Sequence, residues 1–203
     1  MRPLLRGGQR PTKRSGTLFV LTGPSGSGKT TLARAIINDR ELKGKIRGSV
    51  SFTTRPRRPN ERQGKDYFFI TEKEFRQGRR SKKILEWTRY LGYYYGTAKK
   101  TVDDQLRRGK SLVLCLDIRG ARRIRRLYPR NSVLVFILPP SIKELERRIT
   151  KRCKGTSREE LTNRLARARE EIKEAGGFDY RIKNRDLDVA LGQLKDIVTE
   201  RRS

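Results

Sequence analysis

Residues 23–30 read Gly23-Pro24-Ser25-Gly26-Ser27-Gly28-Lys29-Thr30 and match the phosphate-loop pattern G-x-x-x-x-G-K-[ST] at every position. Glycines in such a loop let backbone N–H groups converge on phosphate oxygens, and the following helix adds the positive end of its dipole. Lys29 is expected to bridge two phosphate groups, and the Thr30 hydroxyl to ligate Mg²⁺. The segment therefore predicts a site for a nucleoside triphosphate and is silent about the acceptor of a phosphoryl group.

The flanking segments indicate the fold class. Leu18–Leu21, just before the loop, is a short apolar run typical of a strand buried on both faces of a parallel sheet. Further strands of this kind are predicted at Leu112–Leu116 and Val133–Leu138. Because these runs alternate with helical patterns, we expect an α/β fold of the P-loop NTPase type, with a parallel sheet flanked by helices.

Helical spacing of apolar residues predicts three helices in the second half of the chain. Their inner faces are Ile142, Leu145 and Ile149, with Ser141 as N-cap; Leu161, Leu165, Ala168 and Ile172, closed by Gly176-Gly177; and Leu191, Leu194 and Val198. Residues 49–96 lack a helical period and are rich in Pro, Gly, Thr and aromatic residues, which predicts a β-rich insertion. A second insertion, at about 147–164, is predicted to be helical and carries many Arg and Lys residues.

The charge balance is strongly basic. Lys and Arg number 51 and Asp and Glu 22, which gives a formal net charge of +29 with no His. Such a chain attracts polyanions, nucleic acid among them. The basic residues are spread over several segments and do not form one stripe, so the sequence favours a solvated basic surface over a nucleic-acid footprint.

The two cysteines, Cys115 and Cys153, are far apart and have no metal-ligand spacing. With no signal peptide evident and no apolar run near the length of a membrane helix, the sequence predicts reduced thiols in a cytoplasmic protein without a membrane partner. Residues 1–15 are basic, contain Pro and Gly, and are expected to form a flexible tail. No feature of the sequence selects an oligomeric state.

Residues 49–97 also carry side chains suited to a phosphate and a base. They include Arg55 and Arg58, whose guanidinium forks match a phosphate dianion, two tyrosines, and an acid that can pair with a base edge. Taken singly, each has an ordinary alternative as a solvated charge or a core aromatic. Four motifs stand in a defined order: the phosphate loop, S-x-T-T-R-x-x-R-x-x-E at 51–61, G-x-D-Y-x-F at 64–69 and Y-Y-G-T at 94–97.

Taken together, these motifs resemble the guanylate kinases over nearly the whole chain, from Gly16 to about Arg201. The resemblance implies transfer of the γ-phosphoryl group of ATP, with Mg²⁺, to GMP or dGMP. It also implies a domain at 16–203, with a core (16–48, 98–140 and 166–203), a GMP-binding region (49–97) and a lid (141–165).

The resemblance further implies roles for particular positions. The residues expected to bind ATP are the loop itself, Thr31 and Asn184. Those expected to bind GMP are Ser51, Arg55, Arg58, Glu61, Tyr67, Glu86, Tyr95, Thr97 and Asp117. Those expected to act on the transferring group are Lys29, Arg58, Arg152 and Arg164, with Arg148 a weaker candidate.

Three positions depart from the family pattern. Cys115 stands where an acid is usual, Arg119 where a Gln is usual, and Arg185 where an Asp follows Asn184. These departures bear on the outer shell of Mg²⁺ and on selectivity for the donor base. Cys115 is most simply a small buried strand residue, since the chain has no His to activate a thiol.

Three other functions fit parts of the pattern. A ribose bisphosphokinase resembles a guanylate kinase, but loss of the base-reading acids would favour it, and Glu86 and Asp117 are both present. Guanylate-kinase-like scaffold modules lose the phosphate loop, which is complete here. A basic nucleic-acid-binding protein on the same fold is supported by the charge alone.

Overall fold

The computed structural model describes residues 15–90, 92–152 and 158–201. The predicted tail therefore lies outside the described residues, apart from its last residue, and so does Cys153. The strands are β1 (Leu18–Thr22), β2 (Ile46–Gly48), β3 (Ser51–Thr53), β4 (Tyr67–Phe69), β5 (Ile84–Tyr90), β6 (Tyr93–Ala98), β7 (Ser111–Cys115), β8 (Ser132–Leu138) and β9 (Tyr180–Lys183). The helices are α1 (Lys29–Asn38), α2 (Glu72–Arg80), α3 (Lys99–Arg107), α4 (Ile118–Leu127), α5 (Ile142–Arg152), α6 (Arg158–Lys173) and α7 (Leu187–Glu200), with a 3₁₀ turn at Glu174–Gly177.

The main sheet has the strand order β2-β7-β1-β8-β9, and every neighbouring pair is parallel. Alternate residues of β1 enter two separate cores. Phe19 and Leu21 pack in a cluster with residues of α1 and α7, whereas Leu18 and Val20 pack in one with residues of α3 and α4. This burial on both faces explains why the predicted strands are continuous apolar runs, and it confirms the expected fold class.

The insertion forms a second sheet with the order β4-β3-β6-β5. Strand β3 is parallel to β4 and antiparallel to β6, and β5 is antiparallel to β6. The insertion also contains helix α2, which the apolar pattern of the sequence does not predict. Thr71 and Glu74 form a capping box at its N-terminus, and Phe75 is its one buried residue among those described.

The helices expected in the second half of the chain are present. Ser141 accepts a hydrogen bond at 3.1 Å from the backbone N–H of Glu144 at the start of α5, as expected of an N-cap. Leu145, Ile149, Leu165 and Ala168 form a small core between α5 and α6. Among the described residues, no helix is long and apolar enough to cross a membrane.

The parallel arrangement determines where functional residues meet. The phosphate loop follows β1, Asp117 follows β7, α5 follows β8, and Asn184 follows β9. Because the carboxyl ends of parallel strands lie at one edge of the sheet, these segments lie together at that edge.

Candidate active site

The phosphate loop runs from the end of β1 into α1, and Gly28 is the residue that precedes the helix. Its φ of 98° lies in the left-handed region, and a Cβ there would stand 2.1 Å from Nδ2 of Asn184. A side chain at this position would therefore be strained and would displace Asn184. Glycine lets the loop deliver the unpaired N–H groups of the first turn of α1 to an anion.

The interior of the loop is held by two side chains. Nζ of Lys29 donates to the carbonyl oxygens of Gly23, at 2.6 Å, and Pro24, at 2.9 Å. Nδ2 of Asn184, a buried residue, donates at 2.8 Å to the carbonyl oxygen of Ser27, which is itself buried. Asn184, expected to bind ATP, thus also fixes the conformation of the loop.

Two cavities adjoin the loop, and Ser25, Lys29 and Thr30 line both. One, of about 410 Å³, is also lined by Gly26, Gly28, Thr31, Arg148, Asn184, Arg185 and Leu187. The other, of about 430 Å³, is also lined by Gly23, Ser51, Tyr67, Glu86, Thr88, Arg89, Tyr95, Gly96, Cys115, Leu116, Asp117, Arg164, Arg167, Ala168 and Glu171. We call them the donor-side cavity and the cleft.

The expected phosphate anchors Arg55 and Arg58 are organised by Glu61. Nη2 of Arg55 lies 2.6 Å from Oε1 of Glu61, with 14% and 18% of the two side chains exposed. Oε2 of Glu61 accepts a hydrogen bond at 2.9 Å from the backbone N–H of Arg58. The hydrogen bond to Glu61 raises the pKa of Arg55, and the same bond lowers the pKa of Glu61. Arg55, Arg58 and Glu61 do not line the cleft.

The aromatic residues connect this cluster to the cleft. The Arg55 guanidinium carbon lies 5.8 Å from the centre of the Tyr67 ring, and that ring is 6.0 Å from the Tyr95 ring. Ser51 pairs with Tyr67 across β3–β4 and with Thr97 across β3–β6. The second sheet therefore places Ser51, Tyr67 and Tyr95 on the cleft.

The acid Glu86 is buried in the wall of the cleft. Only 4% of Glu86 is exposed, and Oε1 accepts a hydrogen bond at 2.5 Å from the hydroxyl of Thr97. Burial raises the pKa of Glu86 to about 7, the bond from Thr97 opposes this rise, and the nearby Asp117 adds to it. Glu86 is thus a carboxyl group whose charge changes near neutral pH.

The other carboxylate expected to contact the base has a structural task as well. Asp117 is the N-cap of α4, and its Oδ1 accepts a hydrogen bond at 2.7 Å from the backbone N–H of Gly120. A Cβ on Gly120 would lie 2.9 Å from Oε2 of Glu86. The absence of a side chain at position 120 is what lets Glu86 approach the helix.

The arginines of α5 and α6 are held by acids one turn away. Nε of Arg164 donates at 3.0 Å to Oε1 of Glu160, and Nε of Arg148 donates at 2.8 Å to Oε1 of Glu144. Arg164 lines the cleft and Arg148 the donor-side cavity. Arg152 is the last residue of α5, and its side chain lies outside the described part of the structure.

Several cleft residues were not anticipated. Arg167 and Glu171 lie on the same face of α6 as Arg164, and Nε of Arg167 is 3.3 Å from Oε1 of Glu171. Their positions three and seven residues after Arg164 are the sequence signal for this shared face. Thr88 and Arg89, on β5, had no comparable signal.

The three departures from the family pattern lie in different places. Cys115 is an exposed free thiol at the end of β7 and lines the cleft, so the expectation that it is buried was wrong. The surrounding protein nevertheless raises the pKa of this thiol to about 11, which keeps it protonated at neutral pH. Arg185 lines the donor-side cavity, and Arg119 lies on a third cavity described below.

No group of three or more His, Cys, Asp or Glu side chains able to hold a metal ion occurs among the described residues. The oxygen donors that line the cleft include the Thr30 hydroxyl and the carboxylates of Asp117 and Glu171. Hard oxygen donors beside a phosphate loop suit Mg²⁺, which is usually held by few protein groups together with phosphates and water.

Comparison with known proteins identifies the family. The guanylate kinase family model matches residues 15–201. The guanylate kinase of Dechloromonas aromatica is 43% identical over 185 residues, or 91% of this chain and 89% of that protein, and the one from Thermotoga maritima is 40% identical over 189 residues, or 93% and 88%. The crystal structure of guanylate kinase from Anaplasma phagocytophilum superposes with a TM-score of 0.74 at 30% identity, covering 94% of this chain and 88% of that one. The chain belongs to the guanylate kinase family.

Proposed function

We propose that this protein transfers the γ-phosphoryl group of ATP to GMP or dGMP, giving ADP and GDP or dGDP. The observation that carries the proposal is a single cleft containing both the loop residues Lys29 and Thr30 and the buried acid Glu86. A phosphate oxygen of the acceptor attacks the γ-phosphorus, and the bond from that phosphorus to the oxygen bridging the β- and γ-phosphates breaks.

The loop and the donor-side cavity bind ATP in this proposal. When ATP binds, Lys29 gives up its hydrogen bonds to the carbonyl oxygens of the loop and binds the β- and γ-phosphates. Neutral acceptors are thereby replaced by charged ones, which form stronger hydrogen bonds. Asn184 keeps the loop in shape, and Thr31 lines the same cavity. Mg²⁺ would be held by the Thr30 hydroxyl together with phosphate oxygens, and when bound it neutralises charge on those oxygens. Cys115 supplies no carboxylate to the water shell of the ion.

The second sheet binds the acceptor phosphate. Arg55 and Arg58 hold the phosphate, with Tyr67 and Tyr95 as hydroxyl donors and Ser51 and Glu61 in support. Glu61 keeps Arg55 oriented, since its two oxygens contact the Arg55 fork and the Arg58 backbone. Arg55, held in this way, loses little side-chain entropy when the phosphate arrives.

Glu86 reads the base. Guanine offers N1–H and an exocyclic amino group as two adjacent donors, which one carboxylate accepts together. Adenine has an acceptor at N1 and no amino group on the neighbouring carbon, so a buried carboxylate facing it would lose its partners. Leaving a buried charged acceptor unpaired costs more free energy than one hydrogen bond contributes. Sites of this kind discriminate between substrates by about 10⁴ in kcat/KM. Asp117 lies next to Glu86 and assists.

Arg164 and Arg152 are proposed to neutralise the equatorial oxygens of the transferring group. Arg164 lines the cleft beside Lys29, which supports its role. Arg148 faces the donor side. We also propose that the insertion at 49–97 and the lid at 141–165 move relative to the core, and that the enzyme works in cytoplasmic purine nucleotide metabolism, where a free thiol such as Cys115 stays reduced.

A coupled ADP-release assay with ATP, Mg²⁺ and each of GMP, dGMP, AMP, CMP and UMP tests the proposal. We expect turnover with GMP and dGMP and very little with the others. Lys29→Ala should reduce turnover by about three orders of magnitude or more, because it removes the charge at the β- and γ-phosphates. Lys73→Ala, on the exposed surface of α2, is the matched control. Equal turnover of all five acceptors, or normal activity of Lys29→Ala, would contradict the proposal.

A further inference from the structure

A third cavity, of about 770 Å³, lies outside the cleft between α2 and α4. Its lining includes six arginines: Arg76, Arg79 and Arg80 from α2, and Arg119, Arg123 and Arg126 from α4. We call it the arginine basin. The two sets are about 40 residues apart in sequence, so the fold brings together basic residues that look dispersed along the chain.

Helical spacing explains the grouping on α4. Arg119, Arg123 and Arg126 are four and then three residues apart and so share one face of the helix. The remaining arginines of that stretch point elsewhere and are paired: Arg122 contacts Glu174 at 2.7 Å, and Arg125 contacts Asp179. On this helix the arginines with acidic partners lie outside the basin.

The arginines inside the basin are poorly neutralised. Arg76 contacts Glu72, with Nε 2.9 Å from Oε1. Within the described ranges, no carboxylate forms an ion pair with Arg79, Arg80, Arg119, Arg123 or Arg126 (the guanidinium of Arg123 donates to the carbonyl oxygen of Leu85). The one acid in the basin wall is Glu86, which is buried. Like charges gathered around a concavity make it a strong attractor of anions.

An aromatic platform stands in the same cavity. Trp87 is 42% exposed, and the guanidinium carbon of Arg79 lies 3.7 Å from the centre of its ring. Tyr94 packs edge-on against Trp87, with ring centres 5.6 Å apart. An exposed indole covered by a guanidinium offers flat surfaces on which a nucleobase stacks. An aromatic residue beside unpaired arginines is the combination found in grooves that bind single strands.

We propose that the arginine basin binds single-stranded nucleic acid. The arginines of α2 and α4 contact successive phosphates, and a base stacks at Trp87 and Arg79. The concave shape favours a strand with splayed bases over a stiff duplex. The net charge of +29 steers the polyanion toward the protein. This activity is separate from phosphoryl transfer, because no residue of the phosphate loop lines the basin and the basin shares only Glu86 with the cleft.

The test is the salt dependence of binding of a fluorescent oligouridylate, with an ATP analogue and GMP present to fill the cleft. Each lost phosphate contact lowers the slope of log Kd against log salt by about 0.7 for single strands. The slope for the triple variant Arg79→Ala, Arg80→Ala, Arg126→Ala should therefore be smaller by about 2 than the slope for the parent. The control triple variant Arg40→Ala, Lys43→Ala, Arg181→Ala removes the same charge from exposed positions elsewhere and should lose less than about 1.

Base stacking is tested with Trp87→Ala and Trp87→Phe against oligouridylate and inorganic polyphosphate. We expect Trp87→Ala to weaken oligouridylate binding by about tenfold and Trp87→Phe to restore most of it, with polyphosphate binding unchanged. Guanylate kinase activity of each variant checks that it is folded. The proposal is overturned if the parent does not bind the oligonucleotide, if both triple variants lose the same slope, if Trp87→Ala leaves oligouridylate binding intact, or if it weakens both ligands equally.

Discussion

The hydroxyl of Thr97 lies 2.5 Å from Oε1 of Glu86 and donates a hydrogen bond to that carboxyl group. The family resemblance implies that Thr97 binds GMP. In the structure the Thr97 hydroxyl is bonded to Glu86 instead, and both residues are buried in the wall of the cleft. We therefore infer that Thr97 is a positioning residue, which orients Glu86 and opposes the rise in its pKa that burial causes.

The first prediction concerns pH. In the proposed complex Glu86 accepts two donors from guanine only when it is ionised, and burial raises its pKa to about 7. Since the group is protonated below that pH, kcat/KM for GMP should fall by about tenfold per pH unit on the acid side and level off above it. We call this fall the acid limb of the pH profile. Glu86→Gln should be much less active and should lack the acid limb. A limb that persists unchanged in Glu86→Gln would assign the titration to another group, such as the phosphate of GMP.

The second prediction distinguishes the effect of the Thr97 hydroxyl group from the effect of the volume of its side chain. Thr97→Val keeps the volume but removes the donor that lowers the pKa of Glu86. The acid limb should move to higher pH, and kcat/KM for GMP at neutral pH should fall by about tenfold, the loss of one hydrogen bond to a charged group. Thr97→Ser retains the donor and should behave like the parent. If Val and Ser give the same profile, the hydroxyl does not control Glu86.

Much of the architecture follows from local patterns. The loop at 23–30 and the apolar runs around it predict a parallel sheet, because only strands buried on both faces are continuously apolar. Helix α2 escaped prediction because Phe75 is its only buried residue among those described, so it shows no apolar period. Its one signal was Thr71 followed three residues later by Glu74, a capping box.

The site was less completely predictable than the fold. The family resemblance implied that Lys29, Tyr95 and Glu86 belong to one nucleotide site, and all three line the cleft. Cys115 was misjudged because a strand's last residue is accessible even when the rest of the strand is buried. The arginine basin requires α2 and α4 to be neighbours, a tertiary fact that no local pattern contains.

The third prediction concerns the phosphate anchor. The Arg58 side chain is exposed, while its backbone N–H is held by Glu61. Arg58→Lys keeps the charge but replaces a planar fork with a point charge, so the KM for GMP should rise by about tenfold or more. Arg57→Lys is the control, because its guanidinium contacts only the carbonyl oxygen of Glu61 among the described residues. Equal kinetics for the two variants would mean that no fork at position 58 holds the phosphate.

The fourth prediction is closure of the cleft. The insertion carries Arg55 and Tyr67, the lid helices carry Arg148 and Arg164, and the two nucleotides lie between them in the proposed complex. Ligands that contact the insertion and the lid at the same time draw these segments together and exclude water from the cleft. Small-angle scattering with a bisubstrate analogue should give a smaller radius of gyration than the free protein, and ATP alone should give a smaller change. An unchanged radius with the analogue would show that the cleft is already closed.

The fifth prediction rests on the close approach of Gly120 to Glu86. In Gly120→Ala the new Cβ would lie 2.9 Å from Oε2 of Glu86 and 3.2 Å from Oδ1 of Asp117. The two carboxyl groups must then move by a few tenths of an ångström, which misaligns the acceptors for guanine. We expect the preference for GMP over AMP in kcat/KM to fall by about tenfold, as when a hydrogen bond to a charged group is impaired.

A matched glycine distinguishes this effect from a general effect on helices. Gly192 lies within α7, and a Cβ added there would meet no other described atom within 4 Å. Gly192→Ala should therefore raise the free energy of unfolding by up to about 1 kcal/mol without changing nucleotide preference. In Gly120→Ala the gain in helix propensity is offset by the crowding at Glu86, so its free energy of unfolding should stay near that of the parent. Chemical denaturation and paired GMP and AMP kinetics on both variants give the two readouts. If Gly120→Ala is stabilised like Gly192→Ala and keeps its selectivity, Glu86 has room to move and its position does not determine which base is bound.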